Sequence, residues 1–252
     1  MGYQRQNFED DKTILKAQHL KNMEEAILEN EKAVKSLYGL NVLCLGDSIT
    51  VGQGISNTAD KWNYSLANKY GWNLTVKAQG GIGLSSYYYT LKGETDNSIC
   101  KRADSISSMS VKPDIVIVWG GHNDTTYRYS PVGTWEDDTN SFKGALKYIA
   151  EQVHTYAPKA TLFVLSQEWY SAPIKLKVPE GTTDTDFDFD KAIFEGAIKY
   201  GWVPINMRLC GITQYTKNTY TSDGIHPNAS GAKLIADYLE YELAKYYRIS
   251  KE

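Results

Sequence analysis

Four stretches of this chain carry residues whose types and spacing suit the transfer of an acyl group. An alcohol is a poor nucleophile at neutral pH and needs a base within hydrogen-bond reach, itself oriented by a third group. Of the four histidines, His19, His122, His154 and His226, the last lies in "SDGIHPN", three residues after Asp223 in a turn-rich loop. That spacing lets a carboxylate reach the imidazole Nδ1, fix the tautomer and leave Nε2 to take a proton. Ser48, in "LCLGDSIT" (43–50), is either a helix N-cap or the nucleophile such a base would serve. A tetrahedral oxyanion also needs donors aimed at it. "AQGGIG" (78–83) offers backbone amides that glycine lets approach a ligand closely, and "GGHND" (120–124) offers the carboxamide of Asn123. Singly, these last two read as a Gly-rich turn and an Asx turn. The order of all four along one chain points to acyl transfer.

Those residues need a frame. Apolar runs predict strands at 41–46, 73–77, 114–119, 161–166 and 202–206, with helical patterns near 60–70, 100–109, 138–156, 188–200 and 229–247. Near-continuous apolar strands alternating with helices predict an α/β fold whose parallel sheet is covered on both faces. Such sheets bind ligands at the carboxyl ends of their strands, and three of the four stretches directly follow a predicted strand.

With "GDSIT" (46–50), "GGIG" (80–83), "GGHND" (120–124) and "DGIHP" (223–227), residues 40–247 resemble the SGNH hydrolases, also called GDSL esterases. The resemblance implies a flavodoxin-like three-layer α/β/α sandwich around a five-stranded parallel sheet. It implies Ser48 as nucleophile and as an oxyanion donor through its backbone amide, with Gly83 as a second backbone donor and Asn123 as a side-chain donor. His226 would be the base and then the acid, and Asp223 its orienting carboxylate. The family usually carries asparagine where this chain has Ala78, a departure that bears on a supporting hydrogen bond and on no catalytic role. His122 occupies a variable place and is expected to line the site; Asp124 is expected to be a structural acceptor. An α/β-hydrolase would instead show G-x-S-x-G, whereas the second residue after Ser48 is Thr50.

Composition narrows the partners. A net charge of −3 with interspersed signs argues against nucleic acid as the main partner. No apolar run approaches the ~18 residues that span a bilayer. The start, "MGYQRQNFEDDK", is neither a secretory signal nor a myristoylation site, so the expected setting is a bacterial cytoplasm or a virion. Cys44, Cys100 and Cys210 are too scattered for a disulfide framework or a zinc site. The acids Asp184, Asp186, Asp188, Asp190 and Glu195 have the spacing of a calcium loop, but Phe189 stands where its sharp turn wants glycine. Capping of the following helix explains them more simply. No metal or cofactor is expected.

Aromatics crowd the presumed rim: Trp62, Tyr87, Tyr88, Tyr89, Tyr127, Tyr129, Trp135, Trp169 and Tyr170. Of these Trp62, Tyr87, Tyr127 and Trp169, with His122, are expected to touch substrate. Aromatic faces stack on sugar rings, and the loops lack the long Leu, Ile and Phe runs of a lipid site. The expected activity is therefore hydrolysis of a short acyl ester, O-acetyl above all, on carbohydrate. The rivals are a lipid or thioester acylhydrolase and a non-catalytic glycan-binding module.

Residues 1–38 form a separate arm ahead of a 39–252 domain. Leu20, Met23, Ile27, Asn30, Val34 and Leu37 step by 3, 4, 3, 4, 3, a heptad seam with one polar insertion. An amphipathic helix on its own domain and self-association through 20–37 both fit this pattern. Residues 7–27 also resemble the N-terminal segment of tail and baseplate proteins of phages of Gram-positive bacteria. That likeness implies a virion protein acting on host surface glycan.

Overall fold

The computed structural model describes residues 17–126, 129–167 and 186–249. The chain divides into two compact units, residues 38–242 and residues 1–37 together with 243–252.

The elements run α1 (Ala17–Lys35), β1 (Asn41–Gly46), α2 (Ser48–Val51), α3 (Trp62–Tyr70), β2 (Asn73–Ala78), α4 (Tyr87–Lys92), α5 (Ile99–Arg102), α6 (Ser105–Ser108), β3 (Ile115–Trp119), α7 (His122–Thr126), α8 (Phe142–Tyr156), β4 (Thr161–Leu165), α9 (Asp186–Tyr200), β5 (Val203–Ile205), α10 (Lys217–Tyr220) and α11 (Ala229–Ile249). Five strands form one sheet in the order β2-β1-β3-β4-β5, every pair parallel. The β-branched "IVIVW" of β3 is buried throughout, as a central strand with both faces covered requires. The edge strand β2, "NLTVKA", is only partly covered.

Alternate side chains divide the core into two layers. Leu43, Leu45, Val116, Val118, Leu162 and Val164 join Ile99, Ile106, Phe142, Ile149 and Phe189 from α5, α6, α8 and α9 in one buried cluster. The opposite parity faces the other side, where Trp119 meets Trp62 of α3 edge-on at 5.8 Å. Each fully buried Leu, Ile or Phe contributes about 1.5–3 kcal/mol, against ~0–1 kcal/mol for an exposed ion pair such as Lys233–Asp237, so the layers set the fold.

Side-chain caps fix where the helices begin. Ser141 Oγ accepts the Gly144 N–H at 3.1 Å ahead of α8, and Asn228 Oδ1 accepts that of Gly231 at 3.0 Å in α11. The acidic run behaves differently from a cap. α9 already starts at Asp186, and the Asp190 carboxylate accepts from the Gln167 backbone at 3.1 Å and Arg208 Nε at 2.6 Å. Phe189 is core, Glu195 pairs with Lys143 at 3.1 Å, and Asp184 lies outside the described residues.

In the smaller unit, Leu20, Met23, Ile27 and Leu28 of α1 are each about half exposed, while Ala33 and Leu37 are buried. Asn30, the polar member of the seam, accepts a hydrogen bond from Arg248 Nη1 at 3.1 Å. The end of α11 thus shares a unit with the arm, a break invisible in sequence because the helical pattern runs on unbroken. No helix among the described residues is long and apolar enough to cross a membrane.

Candidate active site

The sheet order reverses direction at β1, which has β2 on one side and β3 on the other, and the crevice beyond their carboxyl ends is where such sheets hold ligands. Ser48 sits there, two residues past Gly46. A Cβ on Gly46 would stand 2.1 Å from Thr50 Oγ1 and 2.7 Å from the Trp119 carbonyl, so only glycine lets the chain turn so tightly. Asp47 is the N-cap of α2, its Oδ1 accepting the Ile49 N–H at 3.0 Å. The Ser48 hydroxyl is therefore not spent on capping. From below, the Trp62 indole donates to the Ile49 carbonyl at 3.2 Å and Asn63 Nδ2 to that of Thr50 at 2.9 Å.

His226 Nε2 lies 2.9 Å from Ser48 Oγ, and its Nδ1 lies 2.6 Å from Asp223 Oδ2. An ionised carboxylate only accepts, so Nδ1 carries the proton and Nε2 turns its lone pair to the serine hydroxyl. The loop is fixed by its own backbone. Asp223 Oδ1 accepts the N–H groups of Ile225 at 3.0 Å and His226 at 2.8 Å, and the His226 carbonyl accepts the Ser222 N–H at 2.9 Å. Partial burial works against the Asp223 charge. The hydrogen bonds from the His226 ring and from the two backbone amides outweigh it and hold the carboxyl below the usual carboxylate range.

Asn123, in the first turn of α7 after β3, directs Nδ2 to the Ile82 carbonyl at 2.9 Å and towards Asp47 Oδ2 at 3.4 Å. Two acceptors on that side fix which end of the amide is the nitrogen. Next to it, buried Asp124 accepts the backbone N–H groups of Leu84 at 2.5 Å and Ser85 at 3.0 Å, which ties the glycine-rich loop to α7. Burial pushes its carboxyl up to about 6, with those hydrogen bonds opposing the rise.

These groups open onto a cavity of about 540 Å³ lined by Ser48, Gln53, Gly81, Tyr88, His122, Asn123, Asp223, Ile225 and His226. Ser48, Asn123, Asp223, His226 and His122 are thus brought together as the sequence led us to expect. Other expectations need correcting. Gly83 is buried, its carbonyl accepting the Ile99 N–H at 2.9 Å, and it is Gly81, with φ +74°, that lines the cavity. Trp62 is core rather than rim, at 1% exposure, because the turn that carries Ser48 rests on its ring. Tyr88 rather than Tyr87 reaches the cavity, since one residue along α4 rotates a side chain by about 100°. Trp135 packs on Tyr200 at 5.2 Å and Trp202 at 6.2 Å. Tyr127, Trp169 and Tyr170 lie outside the described residues. Gln53 and Ile225 went unnoticed, although each is a near neighbour in sequence of Ser48 or His226.

The family model for GDSL-like lipases and acylhydrolases matches residues 44–234. The chain belongs to this family. As a GDSL-family member it shares its fold with a protein from Lactobacillus plantarum, at 23% identity and a TM-score of 0.69 over 83% of this chain and 98% of that one. It is similar to a two-domain esterase active on acetylated mannans, at 16% identity and a TM-score of 0.52 over 91% of this chain and 53% of that one. It is also similar to a carbohydrate esterase family 2 enzyme with a carbohydrate-binding domain from Corynascus thermopiles (Myceliophthora fergusii), at 20% identity and a TM-score of 0.52 over 82% of this chain and 66% of that one. The search of curated proteins found no match.

Proposed function

We propose that this GDSL-family chain is a serine esterase that removes short acyl groups, acetyl above all, from carbohydrate. One observation carries the reading: the hydrogen-bonded series Asp223–His226–Ser48 opens onto a cavity that also holds Asn123 and Gly81. Ser48 Oγ attacks the ester carbonyl while His226 Nε2 takes its proton. The oxyanion is met by the backbone amides of Ser48 and of a glycine in the 80–83 loop, Gly81 being the one that lines the cavity, and by the Asn123 Nδ2 proton that otherwise points only at Asp47 Oδ2, at the long distance of 3.4 Å. His226 then protonates the departing sugar oxygen, leaving an acyl group on Ser48. In the second half, His226 draws a proton from water, which attacks the acyl-enzyme, and returns that proton to Ser48 Oγ as the carboxylic acid leaves.

The acetyl-sugar assignment draws on the modest size of the cavity, on the side-chain amides of Gln53 and Asn123 in its lining, and on the two carbohydrate-active fold neighbours. Acetate release from acetylated neutral polysaccharides tests it, alongside p-nitrophenyl esters from acetyl to octanoyl. Acetyl should be preferred; a preference for octanoyl would replace sugar with lipid. For the arm, the exposed Leu20, Met23 and Ile27 support pairing with a second copy, because the helix that matches a 3-4 repeat is one with the same repeat. Light scattering should return an oligomer for the full chain, and a monomer would end that idea. The likeness of residues 7–27 to phage tail proteins favours a virion setting.

A further inference from the structure

We propose that Gln53 reads a free hydroxyl beside the acylated carbon of a neutral sugar, an assignment that rests on the esterase reading above. After α2, the left-handed Gly52 (φ +73°) turns the chain back on itself, and the Gln53 N–H donates to the Ser48 carbonyl at 2.9 Å. Its side chain then lies over the glycine-rich loop. Oε1 is 2.9 Å from where a Cβ on Gly80 would be, and that same point is 3.7 Å from Ser48 Cβ. The carboxamide therefore stands close beside the nucleophile on a backbone that the nucleophile's own turn holds in place.

Gln53 is exposed, lines the cavity, and its carboxamide makes no hydrogen bond to another described residue. One carbonyl acceptor and an NH₂ donor at the edge of an open cavity match a hydroxyl, which both donates and accepts. An acyl chain would offer neither. The described lining also contains a carboxylate, Asp223, and no lysine or arginine. Phosphate-bearing lipids, coenzyme thioesters and uronates would meet that carboxylate without a compensating cation. A neutral, hydroxyl-rich leaving group meets no such penalty.

The test compares wild type, Gln53→Ala and the near-isosteric Gln53→Met on partially acetylated xylo-oligosaccharides and on p-nitrophenyl acetate, which has no vicinal hydroxyl. With one or two hydrogen bonds removed, kcat/KM on the saccharide should fall by about five- to tenfold more than on p-nitrophenyl acetate, mostly through KM. Equal losses on both substrates would make Gln53 part of the site's framework and overturn the proposal. So would an unchanged rate on the saccharide. A wild type that cleaves p-nitrophenyl acetate but no acetylated saccharide overturns the sugar assignment and leaves the esterase standing. A wild type inert on both overturns the esterase reading itself.

Discussion

Ser48 Oγ and His226 Nε2 stand 2.9 Å apart although the two residues are 178 positions apart along the chain. Neither residue reaches the other by local structure. Ser48 is delivered by β1, whose tight exit needs Gly46, and His226 by a loop anchored on the Asp223 carboxylate and followed by the Asn228 cap of α11. The parallel sheet brings both to the same edge.

Asp223 holds the proton of His226 on Nδ1. In Asp223→Asn the carboxamide can donate to Nδ1 instead, which puts the ring proton on Nε2, facing Ser48. We expect kcat on p-nitrophenyl acetate to fall by about 10²–10⁴, nearer the lower end because the carboxylate is 51% exposed. Retention of more than a third of the wild-type rate would remove Asp223 from the account.

Asn123→Ala takes away the side-chain amide that the proposed mechanism assigns to the developing oxyanion. The expected signature is a ~10²–10³-fold loss in kcat with KM nearly unchanged. A change confined to KM would make Asn123 a ground-state binding group.

Asp124 gives a pH dependence whose sign follows from its raised carboxyl. With a folded value of about 6 and an ordinary unfolded one near ~3.9, the native state holds its proton longer than the unfolded chain does. The associated stability is fully present below the unfolded value and is lost as pH rises through the folded one. Urea unfolding at pH 4, 5, 6 and 7 should therefore show wild type losing stability across this window relative to Asp124→Asn. Parallel curves for the two proteins would contradict that assignment.

Much of this was legible in the sequence, for physical reasons. β3 is five consecutive buried apolar residues, and such a run has few other uses than a central parallel strand. Ser48, Asn123, Asp223 and His226 each belong to a short motif tied to a strand end or a capped helix, so order along the chain translated into position. What failed was rotation and depth. Tyr87 and Tyr88 are chemically alike, and only the phase of α4 decides which one meets the cavity. Trp62 reads as a rim aromatic until the closure of the Ser48 turn places its ring beneath Ile49. Which glycine of the 80–83 loop lines the cavity depends on a path tied down by Asp124, forty positions from Leu84 in sequence.

The most direct test of the account is covalent. Incubation with a fluorophosphonate, followed by intact mass and peptide mapping, should show one adduct, located on Ser48, with ester hydrolysis lost in step. Ser48→Ala should take no label and retain less than about a thousandth of wild-type activity. Stoichiometric labelling of another residue, or a Ser48→Ala protein that still hydrolyses p-nitrophenyl acetate at a comparable rate, would contradict it.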